Sequence, residues 1–186
     1  MLEFNGKLYA RVSDVIKPFT NFGGIDEKVL NAKAALGTRV HNLIKDEIDG
    51  NLPIAGIQEA GYVKSFEHWR SSVSVTFVES EMRYYCDKKM ITGCIDALVK
   101  LEGNEETILV DFKTSVQESP TWIMQAHLYH YLISSSGKCI APRFLFLKLD
   151  KYGKLPKVFH YKFDLNVWAQ CSQAIDDFWK REKCCH

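Results

Sequence analysis

Hydrophobic residues follow two different periods along the chain, and these periods separate the predicted helices from the predicted strands. Between Glu27 and Ile48 the apolar positions recur every three to four residues, which marks one face of an α-helix. Asp26 is a suitable N-cap for this helix, and Gly50 is a suitable end. The same period predicts three later helices, near residues 56–72, 119–134 and 165–180.

From Val73 onward, short apolar runs separated by turn residues are typical of strands. They predict strands near residues 73–85, 90–101, 107–114, 140–149 and 157–163. Short polar turns join the first three strands, so we expect these three to form an antiparallel meander. A further short strand is predicted around Leu8 and Tyr9.

The composition is that of an ordinary globular protein. The 186 residues are enough for a buried core in one domain, and 46% of them are hydrophobic. No apolar run approaches the roughly 18 residues of a membrane span, and the N-terminal segment lacks the apolar core of a secretory signal. We therefore expect a cytoplasmic protein with no membrane partner. The six cysteines are expected to be free thiols.

Charge is spread unevenly along the chain. The net charge is only +1, so no global field indicates a polyanionic partner. The segment from Lys138 to Lys162 nevertheless holds seven basic residues against one acidic residue, Asp150. This basic stripe either follows the phosphates of a nucleic acid or is a solvated hairpin, and the sequence favours neither.

The candidate chemistry centres on the segment Ile108-Leu-Val-Asp-Phe-Lys-Thr-Ser115. Side chains two apart share one face of a strand, so Asp111 and Lys113 project together while Phe112 points away. A carboxylate for a cation beside an ammonium group is the arrangement of a metal-dependent nuclease. Taken alone, an Asp-x-Lys tripeptide is more often a solvated strand end, so the surrounding residues decide.

Asp96 is a lone charge in the apolar stretch 90–101. Because a buried carboxylate is costly, it usually has a cation or strong donors as a partner. Adjacent strands can bring Asp96 beside Asp111, and two carboxylates form a site for a hard divalent cation. Glu81, in the preceding strand, can reach the same region.

Two helices add polar residues to this set. Gly37 and His41 lie one turn apart on the first helix, and a close approach at Gly37 would explain a glycine inside a helix. On its own, His41 is more simply a partly buried histidine. Gln125 and Tyr129 share a face of a later helix and can steady Lys113 or a phosphate. Tyr129 also suits the polar edge of a packed helix.

Together these residues form an ordered series: Gly37-x3-His41, Glu81, Gly93-x2-Asp96, Asp111-x-Lys113 and Gln125-x3-Tyr129. The order and spacing resemble the PD-(D/E)XK nuclease superfamily, and within it the RecB-type exonucleases, including phage and CRISPR-associated members. The resemblance covers residues 28–150. It implies an α+β (α/β) fold with a restriction-endonuclease-like αβββαβ core, in which helices flank a mixed central sheet. Residues 1–186 would form a single nuclease domain, with segments 1–25 and 164–182 packed on the core.

The resemblance also implies a role for each residue. Four groups would hold Mg²⁺ or Mn²⁺: His41, Asp96, Asp111 and the Phe112 carbonyl. Glu81 would be a further catalytic acidic residue beside the two aspartates. Lys113 would orient or deprotonate water and stabilise the charge that develops on the phosphate. Gln125 and Tyr129 would bind the substrate and hold active-site groups.

The implied function is that of a metal-dependent deoxyribonuclease, in the first place an exonuclease, acting in recombination, repair or phage DNA processing. DNA is the implied substrate, a single-strand annealing protein or a helicase is the implied protein partner, and a bacterial or phage-infected cytoplasm is the expected location. No iron–sulfur cluster is expected, because no cysteine precedes Cys86. Two alternatives stay open: a non-cleaving nucleic-acid-binding or scaffold protein on the same fold, and an unrelated α+β protein whose motifs coincide by chance.

Overall fold

The computed structural model describes residues 1–20, Gly24 and 26–184. Its elements in chain order are β1 (Leu2–Phe4), β2 (Lys7–Arg11), α1 (Val12–Ile16), α2 (Glu27–Ile48), α3 (Ala60–Ser72), β3 (Val75–Cys86), β4 (Ile91–Leu101), β5 (Ile108–Lys113), α4 (Thr121–Ser135), β6 (Arg143–Lys148), β7 (Lys157–Lys162) and α5 (Leu165–Cys184). A short 3-10 turn, Lys17–Phe19, follows α1. None of the helices in this part of the chain combines the length and the apolar character needed to cross a bilayer.

A seven-stranded mixed sheet forms the centre of the molecule. β3, β4 and β5 make the antiparallel meander that the turns predicted. Helix α4 then leads from β5 to β6, which runs parallel to β5, and β7 adds an antiparallel edge. β1 and β2 join the sheet through a short parallel contact between β2 and the start of β4. The predicted α+β fold is confirmed, and the stretch from α3 to β6 has the order αβββαβ.

Apolar side chains cover both faces of the sheet. On one face, Val40 and Ile44 of α2 and Phe66 of α3 pack against the sheet. On the other face, α1, α4 and α5 share a core in which Trp122 stacks on Phe146 with ring centroids 5.6 Å apart. β5 is therefore buried on both sides, which explains why its sequence is a continuous apolar run rather than an alternating one.

Aspartate side chains cap two helices, and the cap at Asp26 is the predicted one. The Asp26 carboxylate accepts a hydrogen bond from the Lys28 N–H at 2.7 Å, and α2 has the predicted bounds. Asp164 Oδ1 accepts the Asn166 N–H at 2.7 Å at the start of α5. This helix runs to Cys184, four residues beyond its predicted end at residue 180.

Two elements begin three or more residues later than predicted. α3 begins at Ala60 rather than Gly56, because the Gly56 carbonyl closes a turn by accepting the N–H groups of Glu59 and Ala60. β6 begins at Arg143 rather than at residue 140, because Pro142 has no N–H to offer a neighbouring strand.

Candidate active site

Three elements bring a metal-ligating side chain to one point. α2 supplies His41, β3 supplies Glu81 and β4 supplies Asp96, and their ligand atoms all lie within 4.8 Å of one another. His41 Nδ1 is 3.3 Å from Asp96 Oδ1 and 3.4 Å from Glu81 Oε1. Asp96 is buried, whereas the other two side chains are half-buried. The cluster therefore combines two acidic oxygens and an imidazole nitrogen at a place that solvent still reaches.

Glu81 has a left-handed backbone in the middle of a strand. Its φ is +47°, while the residues on either side of it pair regularly with β4, so that Glu81 lies opposite Asp96. For a residue other than glycine this conformation costs about 1–2 kcal/mol. Such strain persists only where the surrounding structure holds it, and it is concentrated at functional sites.

Asp111 lies beside this cluster on β5. Asp96 Oδ2 accepts a hydrogen bond from the Phe112 N–H at 2.7 Å, which ties β4 to β5 at this point. Asp111 is almost fully buried, and its Oδ2 contacts the Lys113 ammonium. That oxygen has no well-oriented hydrogen bond among the described residues. Asp111 thus borders the three-residue cluster rather than belonging to its tightest set.

The two nitrogens of His41 face different partners. Nε2 lies 2.9 Å from the Phe112 carbonyl oxygen and must carry a proton, because a carbonyl only accepts. Nδ1 faces carboxylates, which favours a second proton there. Burial alone lowers the pKa of His41, but Asp96, Glu81 and Asp111 together raise it well above its ordinary value. An imidazolium at this position supplies positive charge to the carboxylates.

The two aspartates share the negative charge unequally. Burial raises the pKa of Asp111 to about 7; Lys113 and His41 oppose this rise, and Asp96 adds to it. Burial also acts on Asp96, but His41 and Lys113 hold its pKa below the ordinary value. At neutral pH Asp96 is therefore ionised, while Asp111 is near the midpoint of its titration.

The donor atoms of this site fit a hard divalent cation. Two carboxylate oxygens, Glu81 Oε1 and Asp111 Oδ2, are buried, and they lie against His41 Nδ1 and the Lys113 ammonium, respectively. Carboxylate oxygens suit Mg²⁺, and imidazole suits the softer Mn²⁺ as well. Two metal bonds of about 2.1 Å at right angles set their donors about 3 Å apart. The separations of 3.3 and 3.4 Å from His41 Nδ1 to Asp96 Oδ1 and Glu81 Oε1 are close to that value.

Lys113 is held by a chain of hydrogen bonds to α4. Its Nζ donates to Gln125 Oε1 at 2.8 Å, and Gln125 Nε2 donates to the Tyr129 hydroxyl at 2.9 Å. Burial, Asp111 and Asp96 raise the pKa of Tyr129 well above its ordinary value, so the phenol keeps its proton. The ammonium group is therefore fixed beside Asp111 by two residues one turn apart on α4.

The two glycines of the predicted series have different surroundings. A Cβ atom at Gly93 would lie 2.6 Å from Tyr129 Cε1, so the tyrosine ring packs where only a glycine fits. A Cβ atom at Gly37 would lie 3.4 Å from Thr114 Oγ1, which is an ordinary contact. The close approach expected at Gly37 is therefore not found among the described residues, whereas the packing of Tyr129 requires Gly93.

One residue of the site was not predicted. Cys94, two positions before Asp96 on β4, donates its thiol hydrogen to Glu81 Oε2 at 3.3 Å. Burial, and next the Glu81 carboxylate, raise the pKa of Cys94 to about 12, so the thiol stays protonated. The sequence signal for this contact is weak, because a cysteine between apolar neighbours usually indicates core packing.

No family model and no curated protein matches this sequence. Several solved structures have the same fold. A candidate exonuclease from Eubacterium rectale aligns over 93% of this chain and 79% of its own, with 11% identity and a TM-score of 0.57. LHK-Exo, an alkaline exonuclease from Laribacter hongkongensis solved in complex with dAMP, aligns over 96% of this chain and 89% of its own, with 14% identity and a TM-score of 0.52.

A third structure, that of SSO0001, aligns over 96% of this chain and 78% of its own, with 15% identity and a TM-score of 0.53. At identities of 11 to 15% these likenesses establish the fold and nothing finer. The fold is that of the exonuclease structures. It is the fold that the ordered series of motifs implied.

Proposed function

We propose that the protein is a divalent-cation-dependent nuclease that hydrolyses phosphodiester bonds in DNA and acts as an exonuclease. The observation that carries this proposal is the cluster of His41, Glu81 and Asp96 within 4.8 Å, beside the Asp111 and Lys113 pair. The naming of two structural neighbours as exonucleases supports the type of reaction. The dAMP bound to LHK-Exo supports DNA rather than RNA as the substrate.

The cation in this proposal is Mg²⁺ or Mn²⁺. His41, Glu81 and Asp96 would hold it, and Asp111 and the Phe112 carbonyl would complete the donor set. When bound, such an ion supplies a Lewis acid that polarises a phosphoryl oxygen and lowers the pKa of water. The burial of the Glu81 and Asp111 carboxylate oxygens supports this assignment, since a cation would compensate their negative charge.

Lys113 supplies positive charge at the reacting phosphate. Gln125 and Tyr129 hold its Nζ in place, so no reorganisation is needed when negative charge develops on the phosphoryl oxygens. The Nζ also lies 5.2 Å from the centroid of the Phe146 ring, which limits its access to water. Asp111 beside it keeps the ammonium and the cation cluster within one pocket.

The wider biological assignment rests on the resemblance of the ordered motif series to the RecB-type exonucleases. We infer a RecB-type nuclease in which residues 1–186 act as one domain in DNA recombination, repair or phage DNA processing. A helicase or a single-strand annealing protein is the expected partner, because such partners deliver or use the strand that an exonuclease exposes. The described cysteines are free thiols, as expected for a protein of the reducing cytoplasm.

Digestion of end-labelled DNA tests the proposal. Linear duplex, covalently closed circular and single-stranded DNA are incubated with the protein in Mg²⁺, in Mn²⁺ and in EDTA. We expect loss of linear DNA from an end, no cleavage of closed circles, and no activity in EDTA. Asp111→Asn and Lys113→Ala should each lower the rate at least 100-fold, since each removes a charge at the reacting phosphate.

Other outcomes point elsewhere. Nicking of closed circles would indicate an endonuclease with the same site. Tight DNA binding without cleavage under any metal condition would indicate the non-cleaving alternative. Full activity of Asp111→Asn would remove Asp111 from the mechanism. An exposed aspartate on α2, Asp46, provides the matched control, and Asp46→Asn should cleave like the unaltered protein.

A further inference from the structure

Three lysines stand side by side on neighbouring strands. Lys113 of β5 pairs in register with Lys148 of β6, and Lys148 pairs with Lys157 of β7. Residues directly opposite one another on adjacent strands face each other on one side of the sheet. Strands lie about 4.8 Å apart, so this lysine row, defined by Lys113, Lys148 and Lys157, spans about 10 Å.

The contacts of the row place it on the face of the sheet that carries α4. Lys113 Nζ donates to Gln125 of α4. At the other end of the row, Lys157 Nζ lies 4.7 Å from the Phe159 ring centroid, and Phe159 packs against the core that α4 shares. Lys148 lies between them, half-buried. The row thus leads from the reacting centre to the edge strand of the sheet.

One acidic residue faces the outer end of the row. The Glu118 carboxylate is 2.6 Å from Lys157 Nζ, and both side chains are largely exposed. An exposed ion pair contributes little to stability. A phosphate can therefore displace Glu118 from Lys157 at little cost, and Glu118 acts as a weak competitor for the place of the ligand.

We propose that the lysine row is the track on which the phosphates of a DNA strand lie as the strand passes between the cleavage site and the sheet edge. The inference rests on the proposed function, because it continues from Lys113 at the reacting phosphate. The row is about 10 Å long, so its ammonium groups can contact more than one phosphate of the strand. Ammonium groups bind phosphates without regard to base sequence, which suits an enzyme that degrades any strand it engages.

This assignment separates two members of the basic stripe from the others. Lys148 and Lys157 belong to the row and bind phosphate. Lys162 lies at the far end of β7 and, five residues from Lys157, on the opposite face of the sheet. Removal of Lys162 takes away the same charge from the same strand, so Lys162→Ala is the matched control.

The test is DNA binding in EDTA, where no cleavage occurs. Fluorescence anisotropy with a fluorescein-labelled 20-nucleotide single strand and with a 20-base-pair duplex gives Kd as a function of KCl concentration. Each phosphate contact contributes about 0.7 to the salt slope for a single strand and about 0.9 for a duplex. We expect Lys148→Ala and Lys157→Ala each to lower the slope by about that amount and to weaken binding roughly 3- to 10-fold at 100 mM KCl. Lys162→Ala should stay within about twofold of the unaltered protein.

Two further measurements distinguish phosphate binding by the lysine row from a general electrostatic attraction of DNA to the protein surface. Glu118→Gln frees Lys157, so it should tighten DNA binding about twofold to threefold, and only when Lys157 is present. In cleavage assays Lys148→Ala should raise KM for DNA and leave kcat nearly unchanged, because it touches no reacting atom. Thermal melts confirm that each variant is folded before its binding is compared.

Several results would overturn the lysine row. Equal losses of DNA affinity in Lys148→Ala and Lys162→Ala would show that DNA is attracted by the overall positive charge of this surface. Unchanged DNA affinity in Lys148→Ala and Lys157→Ala would show that the row does not bind DNA. Equal affinity for labelled polyglutamate, lost through the same lysines, would show a surface for acidic proteins instead. If all variants cleave DNA as the unaltered protein does, the nuclease proposal holds and the proposal of the lysine row is rejected. If DNA binding depends on the row but the protein never cleaves DNA, the lysine row is supported and the nuclease proposal is rejected.

Discussion

Glu81 and Asp96 each use one carboxylate oxygen for a hydrogen bond within the protein and turn the other oxygen towards His41. Glu81 accepts the Cys94 thiol through Oε2 and turns Oε1 towards His41. Asp96 accepts the Phe112 N–H through Oδ2 and turns Oδ1 towards His41. The carboxylates are thus oriented before any cation binds, and their burial is costly until their charge is balanced.

The cost of burying Asp111 gives a first prediction. Its pKa in the folded protein, about 7, is above the ordinary 3.8. The folded state therefore binds this proton more tightly than the unfolded state, and stability is lost as the pH rises from about 4 to about 7. Without divalent cations, Asp111→Asn should be more stable than the unaltered protein by about 1–3 kcal/mol at pH 8.

Urea unfolding in EDTA at a series of pH values measures this effect. The advantage of Asp111→Asn should shrink towards zero as the pH falls below about 4, because the aspartate then becomes neutral in both states. The exposed Asp46→Asn variant should show no such trend. A less stable Asp111→Asn protein at pH 8 would mean that the charge of Asp111 is fully compensated by Lys113.

The thiol of Cys94 gives a second prediction, about cation affinity. If the thiol orients Glu81, Cys94→Val should weaken Mn²⁺ binding about 10-fold, the lower end of the range for residues that orient metal ligands. Cys94→Ser keeps a donor and should stay within about threefold of the unaltered protein. Isothermal titration without DNA measures both.

A double-mutant cycle shows whether Cys94 acts through Glu81. In a Glu81→Gln background the further change Cys94→Val should cost almost no additional affinity, because the contact is already lost. Cys139→Val removes a half-buried thiol elsewhere and serves as the control. Additive losses in the double variant would show that Cys94 acts by packing alone.

At the scale of the elements, sequence patterns predict what is local. The bounds of α2, the cap at Asp26 and the buried character of β5 follow from periodicity and burial within one segment. The approach of Asp96 to Asp111 followed from the short turns of the meander. The register that aligns Lys113 with Lys148 could not be predicted from the sequence. Shifting one strand by one residue turns all of its side chains to the opposite face of the sheet, but it leaves the hydrophobic pattern of both strands unchanged.

The hydrophobic pattern of the sequence also does not predict unusual backbone conformations. Glu81 lies in a stretch that predicts a regular strand, yet its positive φ depends on contacts made by β4. Gly37 and Gly93 are equally conspicuous in sequence, but only Gly93 faces a ring. Their different roles depend on where Tyr129 of α4 lies, and no residue near either glycine indicates this.

The packing of α4 against β4 gives a third prediction. Gly93→Ala places a methyl group 2.6 Å from the buried Tyr129 ring, so it should lower the free energy of unfolding by about 1–3 kcal/mol and displace the hydroxyl that holds Gln125. Gly37→Ala meets only an ordinary contact inside α2 and should raise stability by up to about 1 kcal/mol. Urea unfolding of the two variants compares these effects. Equal destabilisation by both changes would contradict the structure.

At the scale of the whole molecule, the titration of the buried His127 changes stability with pH in the opposite direction to the titration of Asp111. His127 joins α4 to the start of α5: its Nδ1–H donates to the Ile123 carbonyl at 2.7 Å, and its Nε2 accepts the Asp164 N–H at 2.8 Å. The contact with Asp164 requires the neutral ring, because a protonated Nε2 cannot accept a hydrogen bond, and burial lowers the pKa of His127. Acid thus weakens the contact between α4 and the start of α5, while it relieves the cost of burying Asp111.

The pH dependence of stability separates the two effects. The folded-state pKa of His127 lies below the ordinary 6.5, so the unfolded state binds more protons in that range, and stability is lost as the pH falls through 6.5 towards the folded pKa. One such group contributes a slope of up to about 1.4 kcal/mol per pH unit. The side chain introduced by His127→Gln does not titrate, and its amide oxygen can still accept the Asp164 N–H.

His127→Gln should therefore be less stable at pH 8 by about 1 kcal/mol, the value of the lost hydrogen bond to Ile123. Between pH 7 and pH 5 its stability should fall less than that of the unaltered protein, so the two curves converge. Urea unfolding in an Asp111→Asn background measures this without the opposing titration of Asp111. His160→Gln, on the exposed edge strand β7, should keep the original slope. Parallel curves for His127→Gln and its parent would show that another group causes the acid sensitivity, because a residue that does not titrate between the two states cannot change the slope.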